Sequence, residues 1–106
     1  MLHTHLDDIK EREVVPGYRA RFIHSDRMTV AHWNIDAHCD MPEHAHPHEQ
    51  IFNLLEGRFQ LTVAGETIMA EPGTVVVIPA NVKHAGTSLS NCRVIDIFCP
   101  TRTEYQ

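Results

Sequence analysis

The hydrophobic and polar positions of this chain alternate in short runs, a pattern typical of half-buried β-strands. Turn residues separate these runs from Tyr18 onward. The predicted strands are Tyr18–Ile23, Met28–Ile35, Ile51–Leu55, Arg58–Val63, Thr67–Ala70, Thr74–Ile78, His84–Leu89 and Cys92–Phe98. Ala64-Gly65-Glu66 predicts a tight turn inside a hairpin spanning Arg58–Ala70. The continuous β-branched run Thr74–Ile78 predicts a strand buried on both faces.

Short strands and regular turns, without a long helical pattern, predict an all-β antiparallel sandwich or barrel. Residues 1–17 are polar and charged, with weak helical character over Asp7–Val14, and we expect them to form an N-terminal arm. Residues 18–106 then form a single domain, because 106 residues is a typical one-domain length. A chain this short buries only one small core, so a homodimer is expected to cover its remaining apolar edge.

Composition disfavours several classes of partner. The chain has 9 Lys and Arg against 14 Asp and Glu, a formal charge of −5, and its basic residues are scattered. Nucleic acids and acidic membrane surfaces are bound by clustered positive charge, so neither is an expected partner. There is no apolar run long enough to span a membrane, and the N-terminus lacks a signal-peptide pattern. Cys39, Cys92 and Cys99 form no C-x-x-C pair, which disfavours a disulfide framework and suggests a cytoplasmic protein.

Histidine is unusually frequent, with 9 residues, and several lie within Pro42–Gln50. Side chains two apart in a strand share a face, so His44 and His46 can bind one ion together. Pro47 breaks the strand, and Gln50 then opens the next apolar run, where its side chain can point inward. His84 follows the turn Pro79-Ala80-Asn81 and can supply a distant ligand. His48 can share the same face, but Pro47 is expected to turn it outward; the histidines expected only at the surface are His3, His5, His24, His32 and His38.

Two motifs in this region resemble those of the cupins. His44-x-His46-x-x-x-Gln50, followed by Gly57, is similar to the first cupin motif, and Gly73, Pro79, Asn81 and His84 are similar to the second. The resemblance covers roughly residues 28–100. It implies a double-stranded β-helix, also called a jelly roll, with one divalent metal in its mouth bound by His44, His46, Gln50 and His84.

The chain departs from the cupin pattern at four positions. His38 and Asn81 stand where glycines are expected, and Asn81 tolerates positive φ well enough to keep its turn. Ser88 replaces an asparagine. Gln50 stands where many cupins have a carboxylate, so four neutral donors would leave the charge of the ion uncompensated and favour anionic oxygen ligands. Such donors suit Ni, Zn, Fe, Mn or Co without choosing among them.

The C-terminal strand carries two further candidates, each with two interpretations. Asp96 lies within an apolar strand, either paired with a neighbour such as Arg93 or facing the barrel as an acid/base group with a raised pKa. Arg102 is either a solvated terminal arginine or a clamp for a substrate carboxylate.

A narrower resemblance bears on both residues. His-x-His-Pro-His-Glu-Gln and the closing Asp-x-Phe-x-x-x-Arg are similar to the cupins that linearise 4,5-unsaturated uronates. This resemblance implies that Asp96 and Arg102 are catalytic and that Phe98 and Arg102 contact the substrate.

Three functions remain open from the sequence. The first is a metal-dependent, non-redox enzyme that opens the ring of an unsaturated sugar acid. The second is a metal-dependent dioxygenase, which would need a redox-active ion and oxygen. The third is a binding module that holds a small acid or sugar without turnover. All three take a small molecule as ligand.

Overall fold

A computed structural model describes residues 2–106 as strands joined by turns, with two short 3₁₀ helices at Leu6–Asp8 and Thr103–Tyr105. The strands are β1 (Arg12–Val15), β2 (Tyr18–His24), β3 (Thr29–Ile35), β4 (Asp40–His44), β5 (Glu49–Glu56), β6 (Phe59–Val63), β7 (Glu66–Ala70), β8 (Val75–Ile78), β9 (His84–Ser88) and β10 (Cys92–Cys99). Within these residues no helix is long and apolar enough to cross a membrane.

The strands form two antiparallel sheets whose pairings are nested. One sheet has the order β1-β2-β3-β10-β5-β8 and the other β4-β9-β6-β7. The hairpin β6–β7 is innermost, and outside it β5 pairs with β8, β4 with β9 and β3 with β10. The chain is therefore one long hairpin wrapped into a barrel, the predicted double-stranded β-helix.

The core lies between the two sheets and follows the alternation seen in the sequence. In β3 the side chains of Thr29, Ala31, Trp33 and Ile35 are buried, while the alternate positions are only partly covered. The predicted hairpin is confirmed, with Phe59 and Leu61 of β6 facing the core. Burial of such side chains stabilises the fold by about 1.5–3 kcal/mol each.

Two expectations about elements are wrong. Arg12–Val15 within the predicted arm is not helical but forms strand β1, which pairs with β2. The run Thr74–Ile78 is not buried on both faces, because the outer face of its sheet is open to solvent and leaves Val75 58% and Val77 66% exposed. In both cases the surroundings of the strand decide the outcome, and local sequence does not encode them.

Two of the departures from the cupin motifs occupy strained backbone positions. His38 has φ of 60° and Asn81 has φ of 65°, the left-handed region that glycine enters most easily. Asn and His are among the residues enriched there, which explains how both turns form without glycine. Asn81 then donates its backbone N–H to the carbonyl of His46, tying this turn to the histidine segment.

Candidate metal and substrate site

Three of the predicted ligands meet at one end of the barrel. His44 ends β4 and is paired directly with His84 at the start of β9, while His46 lies in the segment that follows β4. One ring nitrogen from each of the three lies within 4.8 Å of the other two. The His44 and His84 rings are 4.2 Å apart between centroids. This group could hold a metal ion.

Backbone carbonyls fix the orientation of all three rings. Nδ1 of His44 lies 2.8 Å from the carbonyl of Pro42, and Nδ1 of His84 lies 2.8 Å from that of Val82. Nδ1 of His46 lies 3.1 Å from the carbonyl of His48. Because a carbonyl only accepts, each Nδ1 carries the hydrogen and donates it. In a neutral imidazole Nε2 then bears a lone pair, as a metal ligand requires.

The electrostatics of the site keep two of these rings neutral. Burial, followed by the positive charges of Arg102 and a protonated His84, lowers the pKa of His46 to about 4. Burial likewise lowers the pKa of His84. At neutral pH both rings therefore present a bare Nε2.

Two features of the donor set fit a bound cation. The buried Nε2 of His84 has no hydrogen-bond partner among the described residues. Nε2 of His46 lies 3.2 Å from Oε1 of Gln50, and with the hydrogen of His46 on Nδ1 both of these atoms are acceptors. An ion between them would satisfy both lone pairs. The donor set thus fits a transition metal bound by His44, His46, Gln50 and His84.

Gln50 reaches the site from the second residue of β5. Its side chain is buried, whereas the adjacent Glu49 is exposed on the opposite face, as strand alternation requires. Gln50 pairs across the sheet with Ile78 on one side and Phe98 on the other. The preference for Gln50 over Glu49 as the inward side chain agrees with this geometry.

Asp96 faces the barrel interior and is 7% exposed. Burial raises its pKa to about 7, while the nearby side chains of Gln50 and Trp33 and the charge of Arg102 act in the opposite direction. Its Oδ1 has no hydrogen-bond partner within residues 2–106. The alternative pairing with Arg93 does not occur, because Arg93 is exposed and lies near Glu56. Asp96 is therefore a buried carboxyl group whose pKa lies close to neutral pH.

Arg102 is also buried, at 7% exposure, and is not the solvated arginine that one interpretation allowed. Its backbone N–H donates to Oγ1 of Thr29 at 2.9 Å, which fixes the chain after β10 across the end of the barrel. Its guanidinium carbon lies 4.7 Å from the ring centre of Phe98. All three C-terminal candidates, Asp96, Phe98 and Arg102, therefore face the same space.

That space is a narrow cavity of about 50 Å³ between the two sheets. His44, Gln50 and His84 line it together with Asp96, Phe98 and Arg102. His46 does not line this cavity but packs edge-on against Phe98, with ring centroids 5.8 Å apart. The predicted metal ligands and the predicted substrate residues thus form one site.

Sequence reasoning missed three residues near this site. His48 is not turned outward but is buried, and its Nδ1 has no partner within the described chain. Trp33 and Tyr105 line the cavity. The alternation of β3 could have placed Trp33 inside, but Tyr105 follows the last strand, where no periodic pattern indicates its direction.

Comparison with known proteins defines the class. Residues 31–98 match the cupin domain family, and the chain belongs to that family. It is 30% identical over 97 residues to an uncharacterised protein of Streptomyces coelicolor, covering 90% of this chain and 92% of the relative.

Two solved structures are particularly similar. KdgF from Halomonas sp. is 25% identical with a TM-score of 0.88, covering 94% of each chain. An RmlC-like cupin from Shewanella frigidimarina has a TM-score of 0.94 at 20% identity, covering 100% of this chain and 96% of that one, which shows the shared fold. The resemblance drawn from the sequence, to the cupins and within them to the uronate-linearising group, is confirmed by these matches.

Proposed function

We propose that this cupin is a metal-dependent enzyme that opens the ring of 4,5-unsaturated uronates without redox chemistry. The observation that carries the proposal is Asp96, a buried carboxyl with a pKa of about 7 in a cavity shared with the histidine group and a buried arginine. A general acid/base works best when its pKa lies near the working pH. A site designed only for binding has no need of such a group.

The charges of the site suit an acidic sugar. The cavity is lined by Arg102 and by neutral donors such as Gln50 and His84. A divalent ion held by His44, His46, Gln50 and His84 would supply Lewis acidity for oxygen atoms of the substrate. Arg102 would bind the substrate carboxylate, and Phe98 would cover one face of the guanidinium.

Asp96 would move the proton of an isomerisation. The anomeric hydroxyl would give its proton to Asp96 as the bond between C1 and the ring oxygen breaks, which leaves an aldehyde at C1 and an enolate oxygen at C5. Asp96 then delivers a proton to C4, and C5 becomes a ketone. The proton removed balances the proton added, so the step needs neither oxygen nor an external reductant.

The test is turnover of 4,5-unsaturated galacturonate under anaerobic conditions by protein loaded with Ni, Zn or Mn. Protonation of C4 after ring opening removes the conjugated alkene, so the ultraviolet absorbance of the substrate should fall. His84→Ala should lose most metal and activity, whereas Asp96→Asn should keep its metal and lose activity. His32→Ala, on the outer face of β3, is the matched histidine control and should retain both.

The other possible results of this test would indicate a different function or a different set of metal ligands. Turnover that requires oxygen and a redox-active ion would indicate a dioxygenase. Metal binding and saturable uronate binding with no turnover under either condition would indicate a binding module. Full metal retention by His84→Ala would overturn the ligand set itself.

A further inference from the structure

The guanidinium of Arg102 lies against two aromatic rings that form a corner around it. Its central carbon lies 4.7 Å from the ring centre of Phe98 and 4.6 Å from that of Tyr105. Those two rings are 6.3 Å apart between centroids. The two rings therefore attract the cation from adjacent sides through their quadrupoles and restrict its position. The side of the guanidinium that points away from both rings is left to meet a ligand.

The hydrogen bonding of Arg102 leaves those nitrogens available. Within residues 2–106 its side chain bonds only through Nε, which donates to Oε1 of Glu104. The two terminal nitrogens make no hydrogen bond to the described chain, although the residue is 7% exposed and lines the cavity. A planar fork with two free donors matches a carboxylate in geometry and charge.

Tyr105 is itself fixed by the first two strands. Its ring stacks on Phe22 of β2, with centroids 4.3 Å apart and planes inclined by 20°. Its carbonyl accepts a hydrogen bond from Arg12 of β1 at 2.9 Å and lies 3.1 Å from Nε2 of His24. Its own hydroxyl makes no hydrogen bond within the described chain. The contacts that hold Tyr105 therefore come from its ring and backbone.

We propose that Tyr105 is a positioning residue that fixes the Arg102 guanidinium for the substrate carboxylate. This inference rests on the proposed function, because it takes Arg102 as the carboxylate-binding group. A free arginine side chain loses rotamer entropy on binding, and contact with the two rings removes part of that freedom beforehand. Because Arg12 of β1 donates to the backbone carbonyl of Tyr105, the N-terminal strand would support substrate binding indirectly.

The test compares Tyr105→Leu, which keeps apolar bulk without an aromatic face, with Tyr105→Phe, which keeps the ring. In Tyr105→Leu we expect the KM for 4,5-unsaturated galacturonate to rise about tenfold with kcat nearly unchanged, because a rigid carboxylate clamp acts on ground and transition states alike. Tyr105→Phe should restore the low KM. Thr103→Ala, an exposed change in the same 3₁₀ turn, is the matched control.

A spectroscopic measurement makes the inference independent of the reaction. Ring currents from Phe98 and Tyr105 should shift the side-chain NMR resonance of Arg102, identified by its loss in Arg102→Lys. Tyr105→Leu should move that resonance toward the value of a free arginine, and Tyr105→Phe should not.

The kinetic and NMR measurements test the proposed function and the positioning role of Tyr105 separately. Absence of wild-type turnover would reject the proposed function, while the resonance would still decide whether Tyr105 holds Arg102. An unchanged resonance in Tyr105→Leu would overturn the positioning role. A fall in kcat for Tyr105→Phe would also overturn it, because the hydroxyl would then be the functional group.

Discussion

At the scale of single residues, the sequence predicts which side chains meet but not the environment they meet in. Spacing alone placed His44 and His46 on one face, and the structure brings both to His84. Spacing could not decide whether Asp96 is paired with a neighbour or faces the barrel, because strand alternation does not tell which face of a strand is inside. The raised pKa of Asp96 follows from burial, which depends on the whole sheet.

Asp96 should make the stability of the metal-free protein depend on pH. Its folded pKa of about 7 lies above the ordinary 3.8, so only well below pH 3.8 is the carboxyl neutral in both states and without effect on stability. As the pH rises toward 7, the carboxyl ionises in the unfolded state but not in the folded one, which stabilises the unfolded state. The free energy of unfolding therefore falls by up to about 4 kcal/mol. Asp96→Asn removes this loss, so its free energy of unfolding relative to the wild type should rise with pH.

Urea unfolding between pH 4 and pH 8, in the presence of a chelator, measures this difference. The comparison between the two proteins is needed because His46 and His84 act with the opposite sign. Their pKa values are lowered in the folded state, so their contribution to stability is lost as the pH falls. A difference between Asp96→Asn and the wild type that does not change with pH would contradict a buried, titrating carboxyl.

At the scale of elements, the alternation of apolar and polar residues predicts the buried side chains correctly wherever one face of a strand packs in the core and the other faces solvent. The buried faces of β3 and of the β6–β7 hairpin are those that the pattern indicated. The errors fall at the two edges of the larger sheet, β1 and β8. A β-branched strand with one open face looks like a fully buried strand in sequence, because the element that would cover that face lies elsewhere in the chain or is absent from it.

Strand β9 depends on the absence of a side chain at Gly86. A Cβ there would lie 2.4 Å from Cε1 and Cζ of Phe59, whose ring lines the cavity. Replacing a strand glycine by alanine would otherwise gain about 0.5–1 kcal/mol, but overpacking costs about 1–3 kcal/mol and should win. Gly86→Ala should therefore lower the free energy of unfolding in urea.

The double variant Gly86→Ala with Phe59→Leu is the matched control. A smaller side chain at position 59 relieves the contact, so the two changes together should cost less than the sum of their separate effects. Simple additivity would show that the Phe59 ring moves aside freely.

At the scale of the whole molecule, the outer face of the six-stranded sheet is apolar across five strands. Ile23, Val30, Ile97, Ile51 and Val77 lie side by side in register. Ile23, Ile51 and Val77 are among the exposed large hydrophobic residues of the chain. Exposed apolar patches commonly mark interaction surfaces, and we propose that a second copy of this chain covers this one.

Light scattering should then give the mass of a dimer for the wild type. Val77→Glu places a charge at the end of the apolar row and should shift the protein toward the monomer, because a buried unpaired charge is costly. Met69→Glu is the control, since Met69 is 62% exposed but lies on β7 of the other sheet. A monomeric wild type, or equal effects of both changes, would reject this face as the interface.

The nested order of strand pairs has a consequence for how the chain folds. Once the β6–β7 hairpin has formed, β5 and β8 start close together, and each outer pair then needs only a short further loop closure. Zipping from the inside outward avoids the entropic cost of joining β3 to β10 directly, and such non-local pairings are what make all-β domains fold slowly. His44 and His84 join with the third pair and Asp96 with the last. We therefore expect the reactive end of the barrel to form only after most of the scaffold that holds it.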